Sequence, residues 1–471
     1  MFSISRAFST AVSGPFKLAI VGSGPAGFYT AHRLLKEWPN TQIDMFDILP
    51  VPHGLVRFGV APDHPEVKNV MTTFDKVAED DRFRFFGNVP IGTQFAKGIG
   101  IKELQENFDA VLLSYGASED RKLGIPGEDA YGVESARSFV SWYNGHPNYC
   151  DLQIPPLDDT DTAVVIGQGN VALDIARILL SPIDVLRKTD ITEYALEALS
   201  KSKIKHVHVV GRRGPVQVSF TSKELREQMA LPGVEFHADM DLIKKEITDS
   251  QAFISKNRPL KRLLSLLEKG SPTKQGDKSW TAKFLRSPIE VLTNGQKACG
   301  IKYELNRLEG PLEQRKAIGT GEYETQECGV ILTSIGYKSI PIDDSIPFDK
   351  RQGRIPNRYG KMMKDGEEVS GMYTAGWLKR GPTGVIVSTM TDAYETADTI
   401  VDDLKNGKEM LDRGESKAGA EGLKKLMEKR NIRPVNYQDW KKIEAAEFAI
   451  GEKMGKPREK FCKIKDMLDV L

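Results

Sequence analysis

Lys17-Leu18-Ala19-Ile20-Val21 runs straight into Gly22-Ser23-Gly24-Pro25-Ala26-Gly27, and Thr162-Ala163-Val164-Val165-Ile166 runs straight into Gly167-Gln168-Gly169-Asn170-Val171-Ala172. Each is an apolar β-type run ending in glycines at dinucleotide-binding spacing. Helix-forming stretches follow, Phe28 to Trp38 and Val171 to Leu180, closed by Pro39-Asn40 and Pro182. One such loop is a weak signal. Two in one chain predict two nucleotide cofactors held at once, which lets electrons pass from one to the other.

The first loop has its full context. Gly22 permits the tight turn, Gly24 lets a pyrophosphate approach the backbone, and Gly27 lets helix and strand pack closely. The helix N-terminus offers unpaired N–H groups to phosphates. Ile43 to Phe46 is the next strand and ends at Asp47, about twenty residues past the last glycine, as the fingerprint requires. Asp47 can accept ribose hydroxyls and would repel a 2′-phosphate, so this site prefers FAD or NAD over NADP. At the second loop the following strand, His206 to Val210, ends at Gly211-Arg212-Arg213-Gly214. Arginine there accommodates the 2′-phosphate of NADP. The opposite charges read the first site as FAD and the second as NADPH.

A length of 471 residues implies two or three domains. With 40% hydrophobic and 28% charged residues the chain is ordinary globular material. A net charge of +1 provides no bulk field for nucleic acid or membrane. No run of eighteen apolar residues predicts a transmembrane helix. The 4 cysteines, Cys150, Cys299, Cys328 and Cys462, form no C-x-x-C pair, so neither a disulfide framework, a zinc site nor a dithiol centre is expected. Redox chemistry must live on a bound cofactor. Residues 1–14 are Ser-rich, carry Arg6 and precede the first acid, Glu37, which is the composition of a mitochondrial transit segment.

The fold class expected is α/β, two nested Rossmann-like domains. Phe108 to Ser114 is a strand that precedes a crossing near residue 117. Gly329 to Ile335 precedes a return near 338. Gly371 to Ala375 is a further strand, and Arg380-Gly381-Pro382-Thr383-Gly384 opens a helix from Val385 to Leu404. The FAD-binding unit is then 15–117 with 338–471, and the NADP-binding unit 118–337 is inserted into it. A further helix is expected from Thr192 to Ser202. Lys256, Arg258, Lys261 and Arg262 cluster ahead of an apolar helical stretch, Leu263 to Leu267. They read either as a solvated face or as a docking patch for an acidic protein. The tail from Gln438 reads as an outer helix and strap.

From Lys17 onward the chain resembles the adrenodoxin reductases, the mitochondrial NADPH:ferredoxin oxidoreductase family. The likeness is dense at Gly54-Leu55-Val56-Arg57-Phe58-Gly59-Val60-Ala61-Pro62-Asp63-His64-Pro65, from Val165 through Arg177, at Gly376 through Gly384 and at Gly455-Lys456-Pro457-Arg458-Glu459-Lys460. It implies FAD contacts at Ala26, Asp47, Leu55, Ile91, Trp377 and Gly384. It implies NADP contacts at Gln168, Gly169, Asn170, Val171, Arg212, Arg213, Glu224 and Gly384. The family usually has Glu where this chain has Asp47. Arg258 and Arg262, with Lys261 between them, match positions that dock an acidic [2Fe-2S] ferredoxin.

The implied reaction is hydride transfer from NADPH to FAD, then single-electron transfer to the ferredoxin for mitochondrial P450, haem or iron–sulfur biosynthesis. His64 and Asp174 are the implied catalytic polar residues, orienting the rings or relaying protons. A hydrogen-bonded core histidine and a helix N-terminal aspartate are the plainer readings. The resemblance implies a monomer in the matrix with at most peripheral membrane association. A glutamate-synthase small subunit would carry N-terminal cysteines, whereas none precedes Cys150. A flavin monooxygenase would oxidise NADPH without ferredoxin. A flavoprotein serving assembly or signalling would not need both loops intact.

Overall fold

The computed structural model describes residues 14–273, 275–411 and 416–471, so residues 1–13 of the expected targeting segment lie outside the described residues. Two parallel sheets organise the chain. In the seven-stranded sheet the spatial order is Asn357–Arg358, Lys361–Lys364, Glu367–Thr374, Ala110–Leu113, Phe16–Val21, Thr41–Phe46 and Phe83–Phe86. Its last five strands are parallel, and the other two add an antiparallel edge. The six-stranded sheet is parallel throughout: Val133–Ser135, Val330–Thr333, Thr162–Ile166, His206–Val210, Lys278–Lys283 and Val234–Ala238. Strands such as Thr162–Ile166 are apolar on both faces because both are covered: Ala163 and Val165 pack on helices, and Val164 and Ile166 pack against Val291, Ala298, Ile301 and Tyr303 of an antiparallel sheet. The chain therefore builds two Rossmann-type folds.

Both crossings between the sheets meet in one place. Glu119–Asp120 leaves the first sheet and pairs antiparallel with Tyr337–Lys338, which returns to it. A three-stranded antiparallel sheet, Arg286–Asn294, Lys297–Glu309 and Lys316–Glu327, is an element the sequence reading lacks. Its first turn is Gly295-Gln296, with Gly295 at φ +63.

The tail spans both units. Helix Tyr437–Lys453 places Glu447 fully buried against Arg57, 2.5 Å away. Lys456, Arg458 and Lys460 follow, all buried. Lys460 and Lys68 share Asp190 of the six-stranded unit, at 3.0 and 2.6 Å. Buried charges survive only when paired, and this strap fastens the units through the one Asp190 carboxylate that both lysines share.

Candidate functional site

The first helix, Pro25–Glu37, starts where Pro25 fits the first helical turn, and no side chain caps it. Gly22 has φ +103, and a Cβ there would lie 2.6 Å from Tyr115 Cα. A Cβ on Gly24 would meet nothing within 4 Å. The loop is thus packed from below and open from above, where a diphosphate would approach the amides.

Asp47 braces this loop. Ser23 donates to its Oδ2 through the backbone N–H at 2.8 Å and through the hydroxyl at 2.6 Å, and the Leu49 N–H donates to Oδ1 at 2.9 Å. Burial raises the Asp47 carboxyl pKa and these donors oppose the rise. A carboxylate offers about four acceptor positions, so capacity for a ribose hydroxyl remains.

Leu55 starts a short helix whose preceding residues lie against the loop. The His53 N–H donates to Ser23 O at 3.0 Å, and a Cβ on Gly54 would lie 3.2 Å from Gly24 Cα. From the other side, a Cβ on Gly376 would lie 2.6 Å from Ala26 Cβ. Trp377 packs on Tyr337 with ring centroids 5.2 Å apart. Ile91 is buried in the apolar cluster that includes Leu378. Beyond Gly384, Val385 and Val387 are 51% and 66% exposed, an apolar shelf at the start of helix Ile386–Lys405. An open glycine cradle, an acid at the second strand's end and flanking aromatic and aliphatic groups fit FAD.

The second loop repeats the backbone with other surroundings. Helix Asn170–Leu180 is again uncapped by any side chain, and a Cβ on Gly169 would meet nothing within 4 Å. Gln168 O accepts from Ser219 and Phe220, and Asn170 Oδ1 accepts from the Thr221 N–H at 2.8 Å. Arg212 and Arg213 are exposed, and among the described residues neither guanidinium has an ion-pair partner. Two free guanidinium groups at that strand end fit the 2′-phosphate of NADP.

A compact charged cluster joins the two folds. His64 Nε2 is 2.6 Å from Glu227 Oε2 and 3.9 Å from Glu224 Oε2. Arg177 bonds Asp63 at 2.5 Å and Asp174 at 2.7 Å, and lies 3.4 Å from Glu224. His64 and Asp174, distant in sequence, thus belong to one site together with Glu224. Asp63, Arg177 and Glu227 are members that the sequence reading did not single out, although Asp63 and Arg177 stand inside its densest motifs. Burial pushes Glu224 up to about 7, helped by Asp174 and opposed by His64 and Arg177. Burial also raises Asp174, against the pull of Arg177. His64, Asp174 and Glu224 bring one potential ligand atom each within 4.8 Å of one another, and the guanidinium of Arg177 already bonds Asp174 and reaches Glu224.

Arg258, Lys261 and Arg262 lie on helix Arg258–Lys269, where Asn257 caps Leu260 and Leu263, Leu264 and Leu267 are buried. The three cations are exposed, and none has an ion-pair partner among the described residues. The helix packs on Ser222–Met229, which carries Glu224 and Glu227.

Two dinucleotide folds joined by a charged cluster define a pyridine-nucleotide flavoprotein oxidoreductase. The family model described as pyridine nucleotide-disulphide oxidoreductase matches residues 16–252. The chain is 49% identical to NADPH:adrenodoxin oxidoreductase, mitochondrial, of Salvelinus fontinalis, covering 98% of this chain and 92% of that protein. It is 47% identical to the Homo sapiens protein of the same name, covering 100% and 94%. The solved structure of Mycobacterium tuberculosis FprA in complex with NADPH superposes with TM-score 0.88 at 40% identity, covering 97% of this chain and 99% of that one. The chain belongs to the NADPH:adrenodoxin oxidoreductase family.

Proposed function

We propose that this protein is a mitochondrial FAD-dependent NADPH:ferredoxin oxidoreductase whose acceptor is an acidic [2Fe-2S] ferredoxin of the adrenodoxin type. The observation that carries this reading is a pair of equivalent glycine loops, one beside an acid and one beside two free arginines, on two folds joined by the Asp63–Arg177 and His64–Glu227 contacts. FAD, when bound, supplies the conversion of a two-electron hydride from NADPH into single electrons that an iron–sulfur centre can take. The chain binds and orients. Gly22, Gly24, Ala26, Gly27, Asp47, Leu55, Ile91, Trp377 and Gly384 hold FAD. Gln168, Gly169, Asn170, Val171, Arg212, Arg213, Glu224 and Gly384 hold NADP(H).

His64 and Asp174, through the charged cluster they share with Glu224, would orient the nicotinamide and could hold a proton. The FAD unit is 15–117 with 338–471, and the NADP unit is 118–337. The exposed basic helix docks the ferredoxin through Arg258, Lys261 and Arg262, and charge complementarity sets the encounter rate. The enzyme works as a monomer in the matrix. Any association with the inner membrane is peripheral in this reading, and no helix among the described residues is long and apolar enough to cross a membrane.

The test is NADPH-driven reduction of ferredoxin by the wild type and by R258E/R262E. Wild-type turnover with ferredoxin supports the function. A variant that fails with ferredoxin yet still reduces a small one-electron dye supports the docking face. Equal loss of both activities in the variant overturns the docking assignment, and a wild type indifferent to ferredoxin overturns the function.

A further inference from the structure

The two densest family motifs, residues 54–65 and 165–177, meet through one side chain. Arg177 is 3% exposed, on the helix that follows the second glycine loop. Its Nε and Nη2 both bond the Asp63 carboxylate, at 2.5 and 3.1 Å, across the boundary between the units. Nη2 also bonds Asp174 at 2.7 Å, and Nη1 reaches Glu224 at 3.4 Å. Asp63 is the residue immediately before His64. Burial works against the Asp63 carboxylate, yet Arg177 holds its pKa below the ordinary value. Burial likewise opposes the charge of Arg177, and Asp63 with Asp174 more than restores it. The Asp63 carboxylate thus depends on Arg177, which Asp174 and Glu224 also hold.

We propose that Arg177 is a positioning residue for hydride transfer. It clamps the His64 loop of the first unit to the nucleotide helix of the second and so sets how closely the nicotinamide meets the flavin. The proposal rests on the NADPH–FAD reading of the cleft. Only a guanidinium suits the task. Its planar fork serves several carboxylates in fixed directions, whereas a lysine ammonium is a single point charge. The strap from Lys456 to Lys460 fastens the same two units at Asp190 and Ile191, so loss of the clamp loosens the cleft without releasing the units.

The test is rapid-mixing reduction of the flavin in the FAD-loaded enzyme at saturating NADPH, for wild type, D63N, R177Q and the double variant. The deuterium isotope effect is measured with NADPH labelled at the transferred position. Small misplacements at a reacting centre cost up to about 100-fold. Each single variant is expected to slow flavin reduction by about 10-fold or more, to change the isotope effect and to alter NADPH affinity by less than about 3-fold. The double variant should be no slower than the worse single one. If R177Q does not fold, D63N alone decides, because Asn keeps the shape of Asp. Weaker NADPH binding at an unchanged reduction rate, or additive effects, would overturn the clamp. A wild-type flavin that NADPH does not reduce would instead overturn the cofactor reading beneath it.

Discussion

At the first glycine loop the neighbouring charge is committed: Asp47 is half-buried and takes donors from Ser23 and Leu49. At the second loop the neighbouring charges are free, with Arg212 and Arg213 exposed and unpaired among the described residues. The backbones are nearly the same, each an uncapped helix start with an open middle glycine. The difference lies in whether the charge serves the loop or awaits a ligand. A braced, walled loop suits a resident cofactor held by shape. A loop with free guanidinium groups suits a charged cofactor that must be captured and released.

The largest effect should come from removing the free charges. R212A/R213A should lower kcat/KM for NADPH by about 100-fold, because each charge-assisted hydrogen bond contributes about 1.5 kcal/mol or more. NADH turnover should change little. Steady-state kinetics with both coenzymes read this, and an unchanged preference removes the two arginines as phosphate ligands.

A smaller effect should follow at the committed charge. D47N keeps the shape but weakens two Ser23 contacts and the ribose acceptor, so FAD should dissociate about 10-fold faster, while the preference for NADPH over NADH stays. FAD retention on gel filtration checks it. A changed coenzyme preference would contradict the assignment of the two loops.

The smallest concerns the cleft between them. Glu224 is pushed from 4.5 up to about 7, so between those pH values the folded protein holds a proton that the unfolded chain has lost. Its contribution to stability is therefore full below about 4.5 and falls as pH rises to about 7. E224Q should flatten that decline, leaving it about 2 °C or more above the wild type near pH 8 on thermal melting. Parallel pH profiles would show that Glu224 carries no such proton.

Much of this was legible in the sequence because it is local. Thr162–Ile166 and His206–Val210 form strands over the residues their apolar runs predict. The first helix starts at Pro25 rather than Phe28, since a proline fits a helix's first turn. The basic helix extends from Arg258 to Lys269, beyond its apolar stretch, because Asn257 supplies a cap. Helix Glu193–Ser200 is shorter than the stretch from Thr192 to Ser202. The antiparallel sheet left its signal in Gly295-Gln296, a two-residue hairpin turn opened by glycine, but its strands carry too little apolar alternation to announce themselves. The acid and the arginines marked the two loops because fingerprint positions are fixed along the chain. The Asp63–Arg177 pair was not legible, since its members are separated by 114 residues and their chemistry exists only once the two folds meet.

The most direct measurement is NADPH–cytochrome c reduction by the FAD-loaded enzyme with and without a [2Fe-2S] ferredoxin, at low and at high salt. Strong dependence on ferredoxin is expected, with a rate that falls as salt screens the basic helix. Cytochrome c reduction that is equally fast without ferredoxin, at any salt, would contradict it.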